Sequence, residues 1–249
     1  MHSFSLEKSF DLTGKTAVVC GASQGIGEAA ARLLAFRGAR VLALARNSDK
    51  LGDLISSLRG NDRGHRYLAV DLSSTEDLRS LLKEIAGERP QILINNSGGP
   101  KGGLLIDASI EEFDEPLRAH LKAAHLLTQA CVPHMKAASY GRVINVISTS
   151  VKNPIPGLGV SNTVRGAMAN WSKTLAGELG PYGITVNNVL PGYIRTGRFD
   201  SLVSGTASRM KVDSGEVEEQ WKQTIPLRRI GEPEEMARSE EHTSELQSH

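Results

Sequence analysis

The segment Gly21-Ala22-Ser23-Gln24-Gly25-Ile26-Gly27 follows a compact apolar run at residues 16–20. It opens a stretch with helical spacing: Ile26, Ala30, Leu33, Leu34 and Arg37. A strand that turns sharply into a helix needs glycine in the turn, where a pyrophosphate approaches the backbone, and where the helix packs on the strand. The unpaired N–H groups and partial positive charge of the helix N-terminus then face the phosphates. In this strand-turn-helix setting the pattern predicts dinucleotide binding rather than an ordinary glycine turn. Gly21, Ser23, Gln24, Gly25, Ile26 and Gly27 are the expected contacts.

Five further apolar runs, at 41–45, 68–70, 92–94, 143–147 and 184–189, alternate with helical patterns. Continuous apolar strands between amphipathic helices imply a buried parallel sheet. With right-handed crossovers, the expected fold is α/β: a Rossmann doubly wound parallel sheet with helices on both faces. Gly38 reads as the C-cap of the first helix. Ser109 and Glu112 have capping-box spacing and predict a long helix running toward Met135. Residues 198–224 lose the rhythm and read as a lid-like insertion of short helices. No linker divides the chain, so residues 1–237 are expected to form one domain.

Lys plus Arg is 29 against 28 Asp plus Glu, a net charge of +1. That balance argues against a dedicated nucleic-acid or anionic-membrane binder. Aromatics are only 4%, so Ala, Val, Leu and Ile must build the core. Cys20 and Cys131 are the two cysteines and have no metal-type spacing, which argues against a disulfide framework or a metal site. The first fifteen residues carry Glu7, Lys8, Asp11 and Lys15 without an apolar stretch, unlike a signal peptide. No apolar run approaches the ~20 residues of a membrane span. A cytoplasmic protein is expected.

The second run ends Leu44-Ala45-Arg46-Asn47. An acidic residue there would meet the ribose 2′-hydroxyl of NAD, whereas Arg46 suits the 2′-phosphate of NADP, so NADP(H) is expected over NAD(H). A solvent-facing arginine is the plain alternative. Asp71, after the third run, fits either an adenine contact or a helix cap, with Ser73 and Ser74 as competing caps.

These motifs, together with Asn95-Asn96-Ser97-Gly98 after the fourth run and Pro191-Gly192 with Thr196 after the sixth, resemble the short-chain dehydrogenase/reductase family. The resemblance runs from about Leu12 to Met236 and is nearest to the 3-oxoacyl-carrier-protein reductase-like members. It implies hydride transfer between NAD(P)(H) and a small carbonyl or alcohol substrate, and a homotetramer or homodimer. It also implies that Asn95 braces the sheet beside the adenosine ribose, that Ser97 and Gly98 border the cofactor, and that Pro191, Gly192, Ile194 and Thr196 form the loop at the nicotinamide.

The catalytic positions depart from the family pattern. Ser148 matches the family serine. Thirteen residues on, the tyrosine position is Ser161, and the lysine position is Arg165. The asparagine position is His120. Tyr67, Tyr140, Tyr182 and Tyr193 are followed four residues on by Asp71, Ile144, Val186 and Gly197, so no displaced Tyr-x-x-x-Lys exists. A tyrosine beside a cation is a usable acid near neutral pH, and a serine hydroxyl is far less acidic. Arg165 can hydrogen-bond the nicotinamide ribose and stabilise charge but does not exchange protons. His120, of ordinary pKa ~6.5, is the candidate replacement acid, with a purely structural histidine as the alternative. Three readings stay open: a reductase with an unusual proton relay, an NADP(H) binder without turnover acting as sensor or partner subunit, and a scaffold for another ligand. Tyr193 is expected to pack, and Lys173 to be a solvated helix charge.

Residues 238–249 contain one large apolar residue, Leu246. They back-translate without mismatch to a widely used sequencing-library adapter and are read as a non-native tail. The family's last helix and strand are therefore expected to be missing.

Overall fold

The computed structural model describes the backbone of residues 11–243 and the side chains of residues 11–238. Its strands are β1 (Thr16–Cys20), β2 (Arg40–Ala45), β3 (Arg66–Ala69), β4 (Ile92–Asn95), β5 (Gly141–Val146) and β6 (Ile184–Val189). All pair in parallel, in the order β3-β2-β1-β4-β5-β6. The order reverses between β1 and β4, which opens a crevice at the carboxyl ends of those strands.

The main helices are α1 (Gly25–Phe36), α2 (Ser48–Ser57), α3 (Thr75–Gly87), α4 (Ala123–Ala137), α5 (Gly159–Leu179), α6 (Gly197–Met210), α7 (Ser214–Thr224) and α8 (Pro233–Thr243). Side chains alternate across the sheet. Ala17 and Val19 pack with Ala30, Leu34, Leu51 and Leu54 of α1 and α2 on one face. Val18 and Cys20 pack with Leu78, Ile85, Leu127 and Met135 of α3 and α4 on the other. Burying each such leucine contributes about 1.5–3 kcal/mol, and burial on both faces explains why these strands read as unbroken apolar runs.

The caps set the helix starts. Asn47 Oδ1 accepts from Lys50 N (2.9 Å), Ser74 Oγ from Asp77 N (3.3 Å) and Thr196 Oγ1 from Phe199 N (3.3 Å). Gln24 opens α1 without a side-chain cap, so the first N–H groups of that helix are left for another acceptor. Gly38 has φ +104°, and a Cβ there would lie 2.6 Å from Thr13 Oγ1, as its capping position requires.

Two expectations are corrected. The stretch after Ser109 is not one uniform helix. Glu112 does reach back to the Ser109 N–H (2.9 Å), but 3₁₀ turns lead into a π-helical segment, Leu117–Lys122, before α4 begins. The last helix is present: Pro233 starts α8, Glu234 and Glu235 favour its first turn, and buried Ala237 with Met236 packs on the α1 side of the sheet. Among the described residues β6 is followed by no seventh strand. Of the tail, residues 244–249 lie outside the described backbone.

The 198–224 region forms α6 and α7 around its own apolar cluster of Phe199, Val203, Ala207, Val217 and Ile230. Tyr193 stacks on Trp221 with ring centroids 4.8 Å apart, so Tyr193 packs as expected.

Candidate active site

The glycine turn is built by close approach. Gly21 and Gly25 have φ of +62° and +58°. A Cβ on Gly27 would lie 2.3 Å from the Gly21 carbonyl oxygen, and one on Gly21 would lie 2.7 Å from Asn96 Nδ2. Asn96 Nδ2 donates to the Cys20 carbonyl (3.3 Å) and so ties the end of β4 to the turn. Sequence reasoning passed over Asn96; its only signal was the doubled asparagine after the fourth run. Cys20 is a small buried residue, and burial pushes its thiol up to about 12. Ser23 and Ile26 are half-buried in the turn and Gln24 is exposed. Gly25 faces Thr196, whose Cγ2 would be 3.0 Å from an added Cβ.

At the ends of β2 and β3, exposed Arg46 and half-buried Asp71 line one shallow cleft with Val70, Asp77 and Ser80. Burial acts to raise the Asp71 carboxyl, but two 2.8 Å hydrogen bonds from Ser73 and the nearby Arg46 outweigh it and hold it below the usual range. Asp71 therefore shapes the turn before α3, while Ser74 caps that helix.

The end of β4 continues into a buried polar ladder. Asn95 Nδ2 donates to Asn145 Oδ1 (2.8 Å), and Asn145 Nδ2 donates to Ser172 Oγ (2.9 Å) and to Asn188 Oδ1 (3.3 Å). Asn95 Oδ1 is buried with no hydrogen-bond partner among the described residues. Ser97 Oγ lies 2.5 Å from His120 Nδ1. The π segment swings His120 inward to 5% exposure; such widened turns recur at functional sites. Burial, then the charge of Arg165, hold the His120 ring well below its ordinary pKa; a backbone hydrogen bond with Gly98 opposes them, and Arg198 adds to the lowering. Its ring is neutral at neutral pH.

Ser148 accepts from Ser150 N (3.1 Å) at the end of β5. Thr149 N donates to the Pro191 carbonyl (3.1 Å), which joins this loop to the one after β6. Ser161 and Arg165 sit one turn apart on α5, each 8% exposed. Arg165 Nη1 donates to the Val146 carbonyl (2.7 Å), so the guanidinium rests on the end of β5. Burial and Arg198 lower its pKa to about 10, still cationic at neutral pH. Among the described residues no carboxylate pairs with it. In the last loop, Thr196 Oγ1 donates to the Ile194 carbonyl (3.3 Å), and Ile194 bridges to Gly231. Gly192 is open to solvent, as is Gly98. Arg198, two residues past Thr196, donates to the Pro100 carbonyl across the crevice. No sequence signal marked Arg198, since a lone arginine in the first turn of a helix looks like a solvated charge.

The carboxyl ends of β1, β4, β5 and β6 thus gather the glycine turn, Asn95, Ser97, His120, Ser148, Arg165 and the 191–196 loop. Lys173 is exposed. Among the described residues, no group of three His, Cys, Asp or Glu could hold a metal, and no helix is long and apolar enough to cross a membrane.

The family model described as short chain dehydrogenase matches residues 15–207. The chain belongs to the short-chain dehydrogenase family. The protein called dehydrogenase/reductase SDR family member 4 from Pongo abelii is 32% identical to this short-chain dehydrogenase over 240 residues, covering 95% of this chain and 83% of that one. The 3-oxoacyl-[acyl-carrier-protein] reductase FabG of Rickettsia bellii is 33% identical over 227 residues, covering 91% and 88%. Among solved structures, YwfH, an NADPH-dependent reductase involved in bacilysin biosynthesis, superposes with a TM-score of 0.86 at 28% identity, covering 94% of each chain. The expected fold and family are both correct for this short-chain dehydrogenase.

Proposed function

We propose that this chain is an NADP(H)-dependent oxidoreductase acting on a small carbonyl or alcohol substrate of the 3-oxoacyl type. Its site is non-standard: Ser161 and Arg165 stand at the family's tyrosine and lysine positions, and His120 at the asparagine position. The observation that carries the reading is Arg165, a buried guanidinium with one carbonyl partner and no described counter-charge, set at the end of β5 in the crevice. A buried cation is costly unless something pairs with it or uses its field.

The residues present fit a dinucleotide. The uncapped start of α1 and Gly21, Ser23, Gln24, Gly25, Ile26 and Gly27 would hold the pyrophosphate, with Thr196 closing from the opposite side. The orphan acceptor Asn95 Oδ1 suits a ribose hydroxyl, and Arg46 suits a 2′-phosphate in the cleft it shares with Asp71. Ser97, Gly98, Pro191, Gly192 and Ile194 complete the nicotinamide side. A bound nicotinamide supplies or takes the hydride.

Arg165 stabilises negative charge growing on the substrate oxygen, an effect strengthened by exclusion of water. Ser148 and Ser161 donate hydrogen bonds to that oxygen. Neutral His120 passes a proton only by giving from one ring nitrogen while taking at the other, and Ser97 Oγ stands at Nδ1 for that exchange. The same neutral ring favours a second reading. The site lacks a group titrating near pH 7 in the manner of the family tyrosine, so the chain binds NADP(H) without turnover, as sensor or partner subunit. We also assign residues 1–237 to the domain, with 198–224 as its lid, and read 238–249 as a non-native tail whose first residues only prolong α8. A cytoplasmic homotetramer or homodimer fits the family and the two free buried thiols.

The test is NADPH fluorescence titration followed by absorbance at the nicotinamide band with β-keto esters, diketones and quinones. The first reading expects binding and turnover, with lower activity in a Ser161→Tyr, Arg165→Lys double variant. Binding without turnover, with activity gained by the double variant, supports the second. No binding of NADPH or NADH overturns both.

A further inference from the structure

Beyond Arg165, two more guanidiniums face the crevice without carboxylate partners among the described residues: Arg198 and Arg209. They stand eleven residues apart on α6, about three turns at roughly 3.6 residues per turn, so one helix face presents both. Arg198 lies against Gly99, where a Cβ would be 3.1 Å from its Nε. Arg209 spans two loops at the mouth: a Cβ on Gly157 would lie 3.5 Å from its Nη2, and one on Gly102 3.6 Å from its Nη1. Those loops are pinned together, Gly103 N donating to the Gly157 carbonyl (2.7 Å) and Gly159 N to the Gly103 carbonyl (3.2 Å). Glycine at 99, 102 and 157 sets no side chain of its own against either guanidinium. The partners of Arg198 and Arg209 are one carbonyl, Pro100, and one hydroxyl, Thr206 (3.3 Å), so most of their donors remain available. Gly157 lies just before α5, whose first turn carries Ser161, so Arg209 stands at the head of that helix.

We propose that the substrate is a carbonyl compound bearing an oxyanion, a carboxylate or phosphate, held on the arginine face of α6, with Arg209 as the outer anchor and Arg198 nearer the reacting carbon. This rests on the functional reading above. The two arginines are separated by about 16 Å along the helix axis, at roughly 1.5 Å per residue, which favours an anion several bonds from the carbonyl over one adjacent to it. Guanidinium forks suit carboxylate and phosphate oxygens, and the charge-assisted bonds are stronger than neutral ones.

Calorimetric titration of the NADP⁺-saturated full chain tests the proposal without requiring turnover. The probes are 4-oxopentanoate and 8-oxononanoate against their methyl esters, and dihydroxyacetone phosphate against dihydroxyacetone. We expect each anion to bind about tenfold or more tightly than its neutral counterpart, 8-oxononanoate more tightly than 4-oxopentanoate, and the better of the carboxylate and phosphate arms to name the source. Arg209→Met should erase most of that preference and Arg209→Lys restore part of it, with NADPH affinity measured in parallel. Equal binding of anions and neutral analogues overturns the proposal while leaving NADPH binding intact. So does an anion preference lost in Arg198→Met together with NADPH affinity but unchanged in Arg209→Met, which would assign the cations to the dinucleotide. If NADPH itself does not bind, the functional reading fails. The same titrations on the chain alone then decide whether the arginine face is an anion site.

Discussion

His120 shows how burial sets chemistry at a single residue. Its folded pKa lies well below 6.5 through burial and the charges of Arg165 and Arg198. The folded state therefore takes up its proton later than the unfolded state as pH falls. Stability is fully present above pH 6.5 and is lost as pH drops from 6.5 toward the folded value, by up to about 1.4 kcal/mol per pH unit. We expect a His120→Asn variant to flatten the melting temperature between pH 6.5 and 5 relative to the parent; equal slopes would show that the ring is not the source. Arg165 makes the opposite kind of demand. A cation held in the interior with one carbonyl partner costs the fold more than it returns. Arg165→Met is expected to raise the urea midpoint, equivalent to about 1–3 kcal/mol, and to weaken NADPH binding, a trade of function for stability.

At the scale of elements, the sheet carries the stability and the turns between its members carry the specificity. Leu93 in β4 is fully buried. Leu93→Ala should cost about 2–5 kcal/mol in urea unfolding, whereas exposed Lys173→Ala should stay within about 0.5 kcal/mol. In the first turn, Gly27→Ala must displace the Gly21 carbonyl that would lie 2.3 Å away, so a loss of about 1–3 kcal/mol is expected, against little change in melting for Gly192→Ala in open space. These elements also show what could be read in advance. Five of the six strands were legible because burial on both faces makes them largely apolar runs; β3, exposed along most of its length, was legible only through Leu68, Ala69 and the Val70 that follows it. Gly21, Gly25, Gly27 and Gly38 were legible because only glycine tolerates those geometries. The π segment around His120 was not, because Ser109 and Glu112 report where a helix begins and nothing about its pitch. Helix α8 escaped notice because its two core residues, Met236 and Ala237, stand at the edge of a strongly polar stretch. Asn96 and Arg198 were overlooked because their partners, the backbone carbonyls of Cys20 and Pro100, leave no mark in sequence.

Across the whole molecule, charge is distributed more tellingly than its sum. The net value of +1 hides a crevice where Arg165, Arg198 and Arg209 meet no described carboxylate. Elsewhere several arginines are paired, as Arg195 is with Glu218, whose carboxyl is held down at about 2 by Arg195 and Lys222, and Arg229 with Glu235. The substrate side should therefore respond to salt more than the fold does. Raising ionic strength from 0.05 to 0.5 M, at a Debye length shrinking from about 14 to about 4 Å, should weaken anion binding several-fold with little change in melting temperature.

The aromatic cluster around α6 and α7 gives the protein an optical handle. Of its two tryptophans, Trp171 lies on α5 and Trp221 on α7, the latter stacked on Tyr193. In a Trp171→Phe background, all indole emission would come from α7. If α6 and α7 close over a bound reduced dinucleotide as proposed, closure would appear as a change in emission colour and as energy transfer to the nicotinamide, so a stopped-flow fluorimeter could time that motion separately from the chemistry.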